Sequence, residues 1–150
     1  MPTKNIWDKV LSPGEEIQFE FSLGSRYINL ARGAWIGLGI PLLLLYGFGV
    51  IFIIFGLFWG WYLRRANNYA FTQKRVLVLK GWLSSDLTSV DYDKITDVRV
   101  EESFFDRTVF KTGCLNIDTA GTEFQGIVLC NIENPYGIKK KLDEIREKIR

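Results

Sequence analysis

The side chains that could do chemistry are few and poorly assembled. Asp91 and Asp93, then Glu101 and Glu102, are the carboxylate clusters away from the two ends of the chain. Paired carboxylates can divide acid and base roles or share a divalent cation. No third ligand and no phosphate-cradling glycine loop accompanies them, so they read as solvated loop carboxylates. Ser84, Ser85 and Ser89 have no base beside them, and the chain has no His. That removes the commonest general base and the usual partner of a Ser or Cys nucleophile. Cys114 and Cys130 are the only cysteines, too few for an ordinary zinc site. They read as two small apolar core residues, ahead of the alternative of a disulfide between neighbouring strands. The expectation is a protein that is not an enzyme and holds no metal and no cofactor.

The basic residues carry more information. Arg64, Arg65, Lys74, Arg75 and Lys80 lie in one short stretch, while the net charge of the chain is only +2. A nucleic-acid binder would carry a broader positive field, so no nucleic-acid partner is expected. Beside an anionic leaflet each such cation contributes about 1 kcal/mol, fading within a Debye length. Lys74, Arg75 and Lys80 are therefore candidate lipid-headgroup contacts, set against the plainer reading of ordinary basic flanks.

These cations follow a long apolar run. From Gly33 to Leu63, 31 positions carry no Asp, Glu, Lys or Arg, whereas a lipid span needs about 20 residues. The run starts too late and is too long for a signal peptide. One straight helix would measure roughly 46 Å, against a hydrocarbon core of about 30 Å. The preferred reading is a helical hairpin turning at Tyr46-Gly47-Phe48-Gly49, its first helix starting in the segment Arg26 to Arg32 and its second running from about Phe48 to Arg65. Pro41 breaks the first half, and Gly47 and Gly49 flank the turn. Basic flanks at both ends suit a return to the same cytoplasmic face. One tilted span is the alternative. Trp59, Trp61 and Tyr62, followed by Arg64 and Arg65, have the order of an interfacial anchor: aromatics at the headgroups, then cations in water.

The flanks read as a small mainly-β domain. Ile17, Phe19, Phe21 and Leu23 alternate with Gln18, Glu20 and Ser22, a half-buried strand over about 17–23. It needs a partner, either beyond the apolar run or on another chain. After the run come strand-like segments at Tyr69–Thr72, Arg75–Leu79, Trp82–Val90, Ile95–Val100, Cys114–Ile117 and Ile127–Cys130, with turns at Gly81, Gly113, Gly121 and Gly126. Imperfect alternation in the fourth has the pattern a bulge would produce. Short strands with frequent turn signals predict an antiparallel sandwich or partly open barrel. The chain ends in a predicted helix over about 135–149, with Asn134 as N-cap and Pro135 in the first turn. Its apolar stripe is Ile138, Leu142, Ile145 and Ile149.

Strands closed by one C-terminal amphipathic helix are the order of a pleckstrin-homology (PH)-like barrel, and local motifs extend the likeness. Tyr69-Ala70-Phe71-Thr72-Gln73-Lys74-Arg75-Val76 resembles the Y-x-(I/L/F)-T-x-x-R-(V/I) signature after the membrane helices of the bacterial PH-like, membrane-flanked domain family (the YdbS-like group). Gly81 matches its turn, and Ile95-Thr96-Asp97-Val98 its I-x-D-V strand. Gly113 with Cys114 to Asp118 matches a later glycine and strand. Ile132-Glu133-Asn134-Pro135 is similar to the I-x-N-P start of its last helix. The resemblance covers roughly Gly14 to the C-terminus. It implies a PH-like domain held on the cytoplasmic face of a membrane by two preceding helices.

The expected organisation is an N-terminal segment (1–26), a transmembrane helical hairpin (27–66) and a PH-like domain (67–150), at the cell membrane in two spans with the soluble domain cytoplasmic. Two functions follow. The first is a membrane-tethered interaction module that binds protein partners or self-assembles into a homo-oligomer. The alternative is anionic lipid-headgroup sensing. A transporter is disfavoured because the apolar run holds no ionisable group.

Overall fold

The computed structural model describes residues 4–81, 86–120 and 126–149. Ser84, Ser85, Gly121 and the first half of the strand expected over 82–90 lie outside them. A short helix α1 (Lys4–Trp7) precedes strand β1 (Ile17–Ser22), helices α2 (Ser25–Tyr46) and α3 (Gly49–Ala66), strands β2 (Asn67–Thr72), β3 (Arg75–Lys80), β4 (Asp86–Asp91), β5 (Ile95–Glu101), β6 (Thr112–Thr119) and β7 (Ile127–Glu133), and helix α4 (Pro135–Ile149).

The strands form two antiparallel sheets, one ordered β1-β2-β3-β4 and the other β5-β6-β7. The strand ahead of the apolar run finds its partner on the far side of that run. β1 pairs with β2, with Phe21 opposite Tyr69 and Ser22 opposite Asn68. A bridge between Leu23 and Ile132 then joins the end of β1 to the second sheet. In β5 the register shifts between Ile95 and Asp97, which accounts for its imperfect alternation. The core between the sheets holds Tyr69, Phe71, Val76, Val78, Leu115, Ile117 and Leu129, with Phe19 and Phe21 packed at its margin.

Helix α4 closes this core. Its first turn is capped by Asn134, whose Oδ1 accepts the Gly137 N–H at 3.1 Å. Ile138, Leu142 and Ile145 are buried, but Ile149, expected on the same stripe, is 52% exposed. The last turn runs past the edge of the sheet, so the buried stripe is one residue shorter than the periodicity implied.

The outer face of the first sheet is covered too. Ala70, Leu77 and Leu79 point away from the main core and pack against Trp7, with Val10, Leu11 and Ile17 alongside. Trp7 is almost fully buried, and its indole N–H donates to Glu20 Oε1 at 3.0 Å. This explains the unbroken apolar run Val76-Leu77-Val78-Leu79: both faces of β3 are buried.

Cys114 and Cys130 correct the reading made from composition. They form a disulfide between β6 and β7, with a Cα–Cα separation of 4.0 Å. Leu115 and Ile117 take the inward positions of β6. Cys114 has the opposite parity, so it is half-buried on the outer face beside its partner.

Candidate functional site

The apolar run folds as a tight helical pair. Gly47, at φ 71°, provides the left-handed turn, and its N–H donates to Leu43 O at 3.1 Å. Pro41 does not break the first helix but lies within it. The helices touch where side chains are missing. A Cβ on Gly56 would sit 2.7 Å from Trp35 Cβ, and one on Gly60 would sit 2.8 Å from Arg32 Cδ. One on Gly39 would meet Ile53 Cγ1 at 2.7 Å, and one on Gly49 would collide with the Gly39 carbonyl. Small residues at such a contact let two backbones approach closely.

Both feet of the hairpin are built into the sandwich. Gly24 N donates to Asn131 O at 2.7 Å, and a Cβ there would meet Thr112 Cγ2 at 2.6 Å. At the other foot, the last carbonyls of α3 accept from the domain: Leu63 O from Asn67 Nδ2, Arg65 O from Asn68 Nδ2 at 2.9 Å, and Ala66 O from Gly81 N at 2.7 Å. Three of the last four carbonyls of α3 are thus satisfied without relying on solvent.

The predicted anchor residues gather on the last turns of α3. Trp59 stacks on Phe55 and contacts Tyr62, each with ring centroids 5.7 Å apart. Trp61 contacts Phe58 and lies under the Arg65 guanidinium, 5.2 Å from its centroid. Arg64 and Arg65 occupy the final turn, where cations complement the helix dipole.

The three predicted headgroup contacts do not come together. Lys80 pairs with Asn67 at the foot of α3 and reaches Val128 O with its Nζ at 3.3 Å. Lys74 and Arg75 lie beyond Thr72, about 17 Å along the strand from that foot. Arg75 also has another task. Its Nε and Nη2 donate to Glu15 Oε1 and Oε2 at 3.0 and 2.8 Å, and Nη2 also reaches Ser12 Oγ at 3.2 Å. The Glu15 side chain is only 1% exposed. It accepts further bonds from Thr72 Oγ1 at 2.7 Å and Ser12 N at 3.0 Å. The Arg75 guanidinium, helped by these donors, holds the Glu15 carboxyl down at about 2, against the desolvation that would raise it. Thr72 Oγ1 also accepts from the amides of Lys74 and Arg75, and Thr72 O accepts the Tyr92 hydroxyl at 2.8 Å. The Thr and Arg of the Y-x-x-T-x-x-R signature therefore organise a turn and pin the N-terminal segment to it.

The remaining carboxylates are dispersed. Asp91 and Asp93 are exposed, the former 4.0 Å from Lys94, and Glu101 is exposed. Among the described residues no three His, Cys, Asp or Glu side chains converge as a cation site.

A groove of about 700 Å³ lies between β1 and α4. Phe19, Phe21, Leu23 and Ile138 contribute its apolar wall, and Lys140 and Glu144 belong to its polar rim. β1 is the last strand of its sheet, so its outer edge faces this groove. A second opening of about 270 Å³ lies between β4 and β7, with Lys80 in its lining.

The sequence, which folds as two antiparallel sheets closed by one helix, matches the family model described as Bacterial PH domain over residues 21–150. The chain belongs to the bacterial PH domain family. Solved structures agree on the fold. A DUF1696 family protein with a pleckstrin-homology domain from Shewanella loihica PV-4 has a TM-score of 0.54 at 12% identity, covering 97% of this chain and 98% of that one. A pleckstrin homology domain from Shewanella amazonensis SB2B gives 0.54 at 14% identity, covering 95% and 84%. No curated protein matches the chain. In this bacterial PH domain the match begins within β1 and includes both helices.

Proposed function

We propose that this bacterial PH domain is a non-enzymatic interaction module held at the cytoplasmic face of a membrane by its helical hairpin. Its partner is a protein segment, or another copy of the chain, docked along β1. The observation that carries this reading is an apolar hairpin, bare on its outside, rooted between adjacent strands of the domain. Leu44 is 82% exposed and Ile51 63%. The two helices are long and apolar enough to cross a membrane, measuring about 33 and 27 Å by their length. Water would solvate such a surface poorly, whereas lipid would not. Arg26, Arg64 and Arg65 at the feet favour the cytoplasmic side.

A domain so held offers a partner one strand edge and one groove. An extended segment added to β1 would gain main-chain hydrogen bonds, with alternate side chains against Phe19 and Phe21. Cross-linking in mild detergent is expected to give a defined oligomer or a recurrent partner, lost when Gln18→Pro removes a backbone donor from β1. A cross-linked species unchanged by Gln18→Pro would reject the groove, and a lone monomer would reject the module.

The lipid-headgroup alternative now rests on Lys80, which alone of the three candidates stands at the foot of the hairpin. It predicts that Lys80→Glu weakens association with anionic lipid in full-length protein while Lys74→Glu does not. Equal effects would remove it.

A further inference from the structure

The connection between β5 and β6 holds the most exposed aromatic side chains among the described residues of the domain. Phe104 is 76% exposed and Phe105 67%, and Val109 is bare beside them. The segment is not loosely hung. Ser103 Oγ donates to Asp106 Oδ2 at 2.6 Å and accepts the Asp106 N–H, starting a π-helical turn, Asp106–Phe110. At the end of that turn Phe110 packs edge-on against Tyr27, with centroids 5.6 Å apart. Tyr27 lies in the first turn of α2. The turn thus abuts the foot of the hairpin, and two exposed phenylalanines stand immediately before it in the chain.

We infer that Phe104 and Phe105 form a second bilayer contact, an aromatic wedge seated in the headgroup–acyl boundary beside the hairpin. The inference rests on the membrane reading of the hairpin. Its occupant is lipid because the turn that follows these side chains ends on the first turn of α2, through Phe110 against Tyr27. The charges nearby argue for the same mode of contact. Within the connecting segment Glu101, Glu102 and Asp106 offset Arg107 and Lys111, so the segment itself brings no net positive charge to anionic headgroups. Its seating is driven by apolar area and is indifferent to lipid charge.

The test is nitroxide depth measurement on full-length protein in lipid nanodiscs, in a Cys114→Ala, Cys130→Ala background. Single labels go at Phe105→Cys and Phe104→Cys, with Leu57→Cys in α3 and Lys74→Cys at the distal strand end as references. Both Phe sites are exposed, so neither substitution disturbs the core. The labels at 104 and 105 are expected to meet oxygen severalfold more than a water-soluble nickel chelate, as at 57 and opposite to 74. Replacing anionic lipid by phosphatidylcholine leaves the ratio unchanged. Nickel access at 104 and 105 equal to that at 74, with 57 still in lipid, overturns the wedge and leaves the anchor standing. Shielding of 104 and 105 from both reagents assigns the patch to a protein contact and also overturns it. Nickel access at 57 overturns the anchor and the wedge together.

Discussion

Replacing Glu15 by Gln tests the most deeply buried charge among the described residues. The carboxyl goes from an ordinary value of 4.5 to about 2 on folding. At about 1.4 kcal/mol per pH unit, the ceiling on its contribution is about 3.5 kcal/mol. The Arg75 guanidinium is raised by the same contact, and the pair is counted once. Because the folded pKa is the lower one, the stabilisation is complete above about pH 4.5. It is lost as pH falls through the interval from about 4.5 to about 2. Glu15→Gln keeps the shape, removes the charge and turns an amide N–H₂ toward donors, so about 2–3 kcal/mol should be lost at pH 7. For a chain of this size that is a fall in melting temperature of roughly 5–10 °C. Urea or thermal unfolding in detergent, at pH 7, 4 and 2.5, measures it. The gap between wild type and variant should shrink as pH falls, since protonation makes the wild type equally unpaired. A gap that is absent at pH 7, or constant across pH, refutes the assigned role of the Glu15–Arg75 pair.

Trp7→Ala should cost about 3–5 kcal/mol, because it uncovers Ala70, Leu77 and Leu79; denaturant titration reads the loss, and an effect below about 1 kcal/mol would detach α1 from the fold. Gly56→Val drives a branched side chain into Trp35 and should separate α2 from α3, seen as weakened cross-linking between cysteines placed at 35 and 56's neighbouring turn; unchanged cross-linking would show that the helices do not meet there. Differential alkylation in intact cells reports the state of Cys114 and Cys130: on a reducing cytoplasmic face they should be recovered as thiols and close only after isolation in air, whereas a bond present in cells would place the domain on the opposite side.

Much of this architecture is written in local patterns. Period-two alternation marks β1, Gly47 and Gly49 mark the hairpin turn, and Asn134-Pro135 marks the start of α4, each within a few residues of sequence. What escapes such reading depends on long-range pairing. Glu15 and Arg75 are 60 residues apart, and nothing near either names the other. Arg75 looked like one more cation leaving the apolar run, until the β2–β3 register put it at the distal end. Strand parity alone shows that β3 is apolar on both faces, which calls for a second cover, but not that Trp7 supplies it. The cysteine bond ranked second to a pair of core residues for the same reason: it depends on the register of β6 against β7, shifted by an irregularity between Gly113 and Leu115. Phe104-Phe105, adjacent aromatics between Ser103 and Asp106 outside any periodic segment, were a visible signal that a strand-and-helix reading passes over.

The hairpin's place between β1 and β2 also sets an order of assembly. During synthesis β1 leaves the ribosome first and has no sheet to join until β2 follows it, a delay of several seconds at roughly 5–20 residues per second. On the proposed membrane reading, that interval is when both helices meet the bilayer. A chain that crossed the bilayer once would strand β1 and β2 on opposite sides, with Glu15 facing no Arg75 and the sheet lacking its edge. On that reading, completion of the soluble fold reports correct insertion, since a mis-threaded chain leaves its sheet unfinished.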